Sequence, residues 1–117
     1  MLLVCGDPAL ARDPTAANGS CATRPDLSGR CFVVHGRLSA YNGAPTFRLW
    51  PVGTKRLIGI VPDEDARKLP ASIRDEAGFA NDIFGRFTVC PFTPARRGVM
   101  QFGCIQDVRD ARIRTRP

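Results

Sequence analysis

Few residues in this chain are equipped for bond chemistry. His35 is the single histidine, so any base–nucleophile–orienter set has to be built around it. Ser39 shares its strand face but stands four residues on, which at roughly 3.3 Å per residue is about 13 Å, too far for a hydrogen bond. A lone strand histidine of this kind reads as a packed or solvated surface residue. Asp63, Glu64 and Asp65 invite comparison with an acid–base pair or a cation site. Arg67 and Lys68 follow them, however, and carboxylates first with cations after is the charge order of a helix start. The glycines form neither G-x-G-x-x-G nor G-x4-G-K-[ST], so nucleotide hydrolysis is not expected. We expect no catalytic residue, no cofactor and no enzyme activity.

The five cysteines carry a different kind of information. Residues 1–11 are a short apolar stretch ending in Ala9-Leu10-Ala11, which has the small-x-small form of a signal-peptidase site. It lacks a basic start, so it reads as the tail of a leader whose true start lies upstream. Cleavage after Ala11 would remove Cys5 and leave four: Cys21, Cys31, Cys90 and Cys104. Lipidation of Cys5 is the weaker reading, because Val4 occupies the position where a small residue belongs. Four cysteines allow three pairings. Cys90 and Cys104 flank the loop 91–98 at matching places on two apolar-rich segments. A hairpin would bring their Cα atoms within the roughly 4.4–6.8 Å that a disulfide needs, and Cys21 would then join Cys31. Sequence does not exclude the other pairings or free buried thiols. Close C-x2-C pairs are missing, so no metal site is assigned. Two disulfides and a leader point to a periplasmic or secreted protein; the alternative is a cytoplasmic one.

The elements that must position these residues follow from periodicity. With 117 residues, 44% hydrophobic and 24% charged, the chain fits one globular domain. No apolar run approaches the roughly 18 residues of a membrane-spanning helix. Residues 12–29 read as an extended loop rich in Pro, Asn, Gly and Ser. From Cys31 to Tyr41 the chain alternates, with Phe32, Val34, Leu38 and Ala40 inward and Val33, His35, Arg37, Ser39 and Tyr41 outward. Gly36 suggests a bulge or sharp coil in this strand. Asn42-Gly43 predicts a tight hairpin turn. A second strand over 44–50 follows, with Phe47 and Leu49 inward, then a turn at 51–54 and a third strand over 55–61 with Leu57 and Val61 inward. A helix start is expected at 62–69 and a further short turn from Ser72 to Gly78, with Leu69, Ile73 and Phe79 plugging the interior. Two more strands, 83–90 and 98–108, contribute Phe87, Val89, Met100 and Phe102 to the core. Residues 109–117, with four Arg and one Asp, read as an exposed basic tail.

The order β-β-β-α-β-β over 30–108, with a glycine in the first strand, resembles the OB-fold, a five-stranded Greek-key barrel. A small open β-sandwich is the alternative. The stretches Gly36-Arg37-Leu38-Ser39-Ala40-Tyr41-Asn42-Gly43, Arg48 to Arg56 and Met100 to Ile105 look like those of small exported bacterial proteins. That resemblance implies no particular activity.

The remaining candidate is a surface. The outward positions of the first three strands present His35, Arg37, Tyr41, Arg48, Trp50 and Arg56. Rings alternating with guanidinium groups suit single-stranded nucleic acid, because bases stack on rings and phosphates pair with arginine. The bland reading is a Trp covering a loop and Arg stems shielding apolar surface. Seventeen Lys and Arg against eleven Asp and Glu give a net charge of +6, which fits an anionic ligand, a glycan, a lipid head group or a protein partner equally well. We expect a non-catalytic exported binding or structural module, with a nucleic-acid-binding domain as the alternative.

Overall fold

The structure, a computed structural model, describes residues 21–61 and 69–117. The leader read at 1–11, Cys5 and the acidic cluster Asp63, Glu64 and Asp65 lie outside the described residues. Residues 21–29 form turns and no strand.

Alternating and β-branched stretches become five strands: β1 (Phe32–Ala40), β2 (Phe47–Pro51), β3 (Ile58–Ile60), β4 (Asn81–Pro91) and β5 (Gln101–Thr115), with one helix, α1 (Ala71–Arg74), between β3 and β4. β1 pairs antiparallel with both β2 and β4. β2 pairs antiparallel with β3, β3 parallel with β5, and β5 antiparallel with β4. Each strand therefore has two neighbours, and one mixed sheet closes into a ring in the order β1-β2-β3-β5-β4. A single closed sheet replaces the two-layer sandwich alternative, with β5 paired to β3 only over Gln101–Gly103 and to β4 along the rest of its length.

The interior is filled by Leu38, Leu49, Ile58, Ile83, Phe87, Val89 and Ile105, all almost wholly buried. Leu69 and Ile73 join them from α1 and the residues before it. Expected and observed core differ where pairing overrides local alternation. Directly paired residues share a sheet face, and Leu49 pairs with Ile58, so Ile58 and Ile60 face inward in place of Leu57 and Val61. The parallel pairing of Ile58 with Gln101 and Ile60 with Gly103 then turns Gln101, Gly103 and Ile105 inward. Met100 and Phe102 are correspondingly only half-buried. Phe102 instead crosses the outside of β3, where a Cβ on Gly59 would lie 2.8 Å from its ring and 2.7 Å from Pro45. Phe79 does not plug the interior. Gly78 bridges to Asn81, which puts Phe79 at a turn tip, 56% exposed.

Three other expectations change at element ends. Asn42-Gly43 does turn the chain, with Gly43 at φ +103°. The connection is longer than two residues, however, and closes where the Tyr41 amide donates to the Thr46 carbonyl. Pro45 has no N–H for the ladder, so β2 starts only at Phe47. Ser72 is not the helix cap: Pro70 holds that place and its carbonyl accepts from the Ile73 amide at 3.1 Å. Residues 109–115 are not a free tail. They continue β5 along β4, from Arg86↔Arg109 to Asn81↔Thr115.

Two cysteine pairs stand at disulfide distance, Cys21–Cys104 and Cys31–Cys90. Cys90 and Cys104 are indeed cross-strand partners, as the hairpin reading required, but each bonds elsewhere. Phe32↔Val89 is the last β1–β4 pair, so Cys31 falls beside Cys90 at a Cα separation of 4.0 Å. That leaves Cys104 for Cys21. The Ala22 amide donates to Gln106 Oε1 at 2.8 Å next to this link and holds the N-terminal segment against β5.

Candidate functional site

The outer face of β1, β2, β4 and β5 carries a row of side chains that only the pairing assembles. Trp50 pairs with Arg37, Arg37 with Phe84, and Phe84 with Arg112. Aromatic and guanidinium groups thus alternate across four adjacent strands. The next row runs from His35 to Arg86 to Arg109. Between them lies a shallow cavity of about 500 Å³, bounded by His35, Phe84, Arg86, Asp110 and Arg112.

The cavity exists because β5 bulges there. Arg86 pairs with Arg109 and Phe84 with Arg112, so Asp110 and Ala111 together oppose Gly85. Such a bulge needs one residue in an unusual conformation, and Asp110 supplies it with φ +55°. Aspartate tolerates this region better than most residues. Its carboxylate accepts from Arg86 Nη2 at 2.9 Å. Gly85 is tightly enclosed: a Cβ would meet the Arg109 carbonyl oxygen and Val108 Cγ2 at 3.0 Å, and these would have to give by a few tenths of an ångström.

Four of the six residues anticipated from sequence come together as two stacked pairs. The Arg37 guanidinium lies 4.7 Å from the Trp50 ring centre and that of Arg48 4.8 Å from Tyr41. Trp50 Nε1 donates to the Thr54 carbonyl at 2.7 Å, and Arg48 Nε donates to the Pro45 carbonyl at 3.0 Å. Trp50 and Tyr41 each have one ring face occupied by an arginine, so these two rings brace cations more than they offer bare stacking surfaces. The buried Arg37 Nε has no hydrogen-bond partner among the described residues.

His35 and Arg56 fall elsewhere. His35 is exposed and lines the bulge cavity. Arg56 belongs to the β2–β3 connection, where its Nη2 donates to Gln101 Oε1 at 2.8 Å. Ser39 is nominally outward yet 2% exposed. Its hydroxyl donates to Asp82 Oδ1 at 2.7 Å, and Arg116 Nε donates to the same oxygen at 2.9 Å. His35 and Ser39 are therefore not assembled into a catalytic pair.

Phe84, Arg86, Asp110 and Arg112 were not anticipated. Residues 109–117 read as a tail by charge, although Arg112, Ile113 and Arg114 alternate and so carried a strand signal. Three sulfur atoms, those of Cys21, Cys90 and Cys104, lie within 4.8 Å of one another. All three cysteines are engaged in the two disulfides and have no thiolate to offer a metal. Comparison of the chain with protein-family models, curated proteins and solved structures gives no match.

Proposed function

We propose that this chain is a small exported binding module without catalytic activity, an OB-like barrel whose outer β1–β2–β4–β5 face holds an anionic ligand. The observation that carries the reading is the cross-strand row Trp50, Arg37, Phe84, Arg112. It ends in Arg112, which has no carboxylate partner among the described residues. The element order, the closed ring and Gly36 within β1 support the OB-like reading. Two disulfides support an oxidising compartment, where such bonds persist. Arginine held by ring stacking keeps its N–H edge free to pair with sulfate, carboxylate or phosphate oxygens.

Trp50 is the only tryptophan, so its fluorescence reports on this face directly. Titration with a sulfated oligosaccharide should quench or shift that emission at low salt and lose effect at high salt, as screening predicts. Arg112→Gln should weaken binding by about tenfold, the loss of one charge-assisted contact. An unchanged affinity in that variant would remove the face from the reading.

Single-stranded nucleic acid is a second reading, favoured by one observation. Phe84 stands between Arg37 and Arg112 in the row and has no cation stacked on it among the described residues. A base on that ring would contribute about 1–3 kcal/mol. Oligonucleotide binding that Phe84→Ala reduces at least tenfold would favour this reading, whereas a preference for the sulfated sugar with no dependence on Phe84 would favour the first.

A further inference from the structure

The loops at a different part of the ring build a second cationic site. A cavity of about 420 Å³ opens between the β2–β3 and β4–β5 connections, lined by Lys55, Arg56, Arg96 and Arg97 with Leu57, Val99 and Met100 beside them. A volume of this size suits a small ligand. None of the four cations has a carboxylate partner among the described residues, whereas Arg24, Arg86 and Arg116 pair with Asp26, Asp110 and Asp82. Four cations around one cavity repel one another. An arrangement that holds them together is best satisfied by an anion of matching charge.

Both walls are fixed by hydrogen bonds rather than by chance proximity. On one side the Thr54 amide and hydroxyl donate to the Pro51 carbonyl at 3.1 and 2.8 Å, with Gly53 at φ +86°. The Arg56 amide then donates to Thr54 Oγ1 at 3.1 Å. On the other side the Val99 amide donates to the Arg96 carbonyl at 3.3 Å, with Gly98 at φ +78°. Positive φ at the third residue is the mark of a type II turn, which glycine adopts without strain. Each turn therefore fixes the backbone from which these side chains extend.

Gln101 links the walls. It is 6% exposed. Its Oε1 accepts from Arg56 Nη2 at 2.8 Å while its Nε2 donates to the Thr93 carbonyl at 3.1 Å. A neutral amide orients the Arg56 guanidinium without cancelling its charge, as a carboxylate would. This explains why a polar residue occupies an inward position of β5 where apolar side chains are the rule.

We propose that this cavity binds a compact ligand bearing phosphate groups with two or more negative charges, held by Arg56, Arg96 and Arg97 with Lys55 adding charge. Guanidinium forks match phosphate oxygens two at a time. Leu57, Val99 and Met100 form an apolar margin for whatever carries the phosphate, and Val99 is 63% exposed. This site is separate from the β1–β2–β4–β5 face, and either assignment can fail without the other.

The test is a titration of the full chain with inorganic pyrophosphate, followed by backbone amide NMR at low salt. Saturable shifts at Arg56, Arg97, Gly98 and Val99 are expected. Binding should be about tenfold weaker for orthophosphate and at least that much weaker in Arg96→Gln/Arg97→Gln, from loss of charge-assisted hydrogen bonds. Both arginines are exposed, so the variant should keep the spectrum of the folded chain. Arg112, which does not line this cavity, serves as the control: Arg112→Gln should leave the shifts at Arg56, Arg97, Gly98 and Val99 unchanged, whatever it does on the β1–β2–β4–β5 face. Sedimentation with vesicles of phosphatidylcholine plus phosphatidic acid, whose phosphomonoester carries up to two charges, reversed by pyrophosphate, would identify the source as a lipid head group. Pyrophosphate binding without sedimentation would identify a soluble phosphate compound. Absent shifts, shifts equally strong in the double variant, or shifts centred on Phe84 and Arg112 would overturn the proposal.

Discussion

Single residues here are constrained more by close backbone approach than by chemistry. Gly103 is the clearest case: a Cβ would lie 2.7 Å from the Cys90 carbonyl oxygen and 3.3 Å from Pro91 Cα. Backbone cannot move aside as a flexible side chain can, so β4 and β5 would have to part. Gly103→Ala should therefore lower unfolding free energy by about 2 kcal/mol or more in urea titration, in the upper part of the range for overpacked sites. Gly29→Ala, where nothing lies within 4 Å, should change it by no more than about 0.5 kcal/mol, as at other surface positions. Equal effects at the two sites would show that the β4–β5 contact is looser than its geometry. The functional residues are legible in part at this scale. Arg37, Tyr41, Arg48 and Trp50 were identifiable because all four lie on one hairpin, where alternation assigns faces without knowledge of other strands. Phe84 and Arg112 were not, because their neighbours come from strands far away in sequence.

At the scale of elements, local signals held where a turn residue enforced them and failed where long-range pairing set the phase. The turn at 51–54 needs positive φ, and Gly53 provides it. The phase of β3 and the start of β5 came out reversed, because each was inferred from its own residues while Leu49↔Ile58 and Ile58↔Gln101 decide it. One irregularity then restores the alternation further along. Thr88 pairs with Asp107 but Val89 with Ile105, so Gln106 is an extra residue and Val108, not Asp107, returns to the core. The end of β5 offers a direct test. Ending the chain after Val108 removes the pairs from Arg86↔Arg109 to Asn81↔Thr115. Net backbone hydrogen-bond values of about 1 kcal/mol each suggest a loss on the order of 2–4 kcal/mol in denaturant unfolding. A truncated chain as stable as the full one would mean that the segment behaves as a tail after all.

For the molecule as a whole, the two disulfides and the charge distribution matter most. Cys21–Cys104 and Cys31–Cys90 span 83 and 59 residues, and both end on the paired positions Cys90 and Cys104. They tie the N-terminal segment to β5 and the start of β1 to β4. Peptide mapping without reductant should recover 21–104 and 31–90. Replacing Cys31 and Cys90 together by Ser should cost about 2–5 kcal/mol, as for a native disulfide in a small domain. Recovery of a 90–104 peptide would reverse the assignment. The net charge of +6 is not spread evenly: some arginines are matched with aspartates, while the row on the β1–β2–β4–β5 face and the β2–β3/β4–β5 cavity hold ones with no carboxylate partner among the described residues. The sequence by itself determined a mainly β chain with five strands and a short helix, its turn glycines, and the outward face of the first hairpin that carries Arg37, Tyr41, Arg48 and Trp50. These depend on backbone preference and alternation over a few residues. Which strand neighbours which, which cysteines meet, and which cations share a cavity were decided only by ring closure. Closure brings residues tens of positions apart into register, and no local pattern encodes that register.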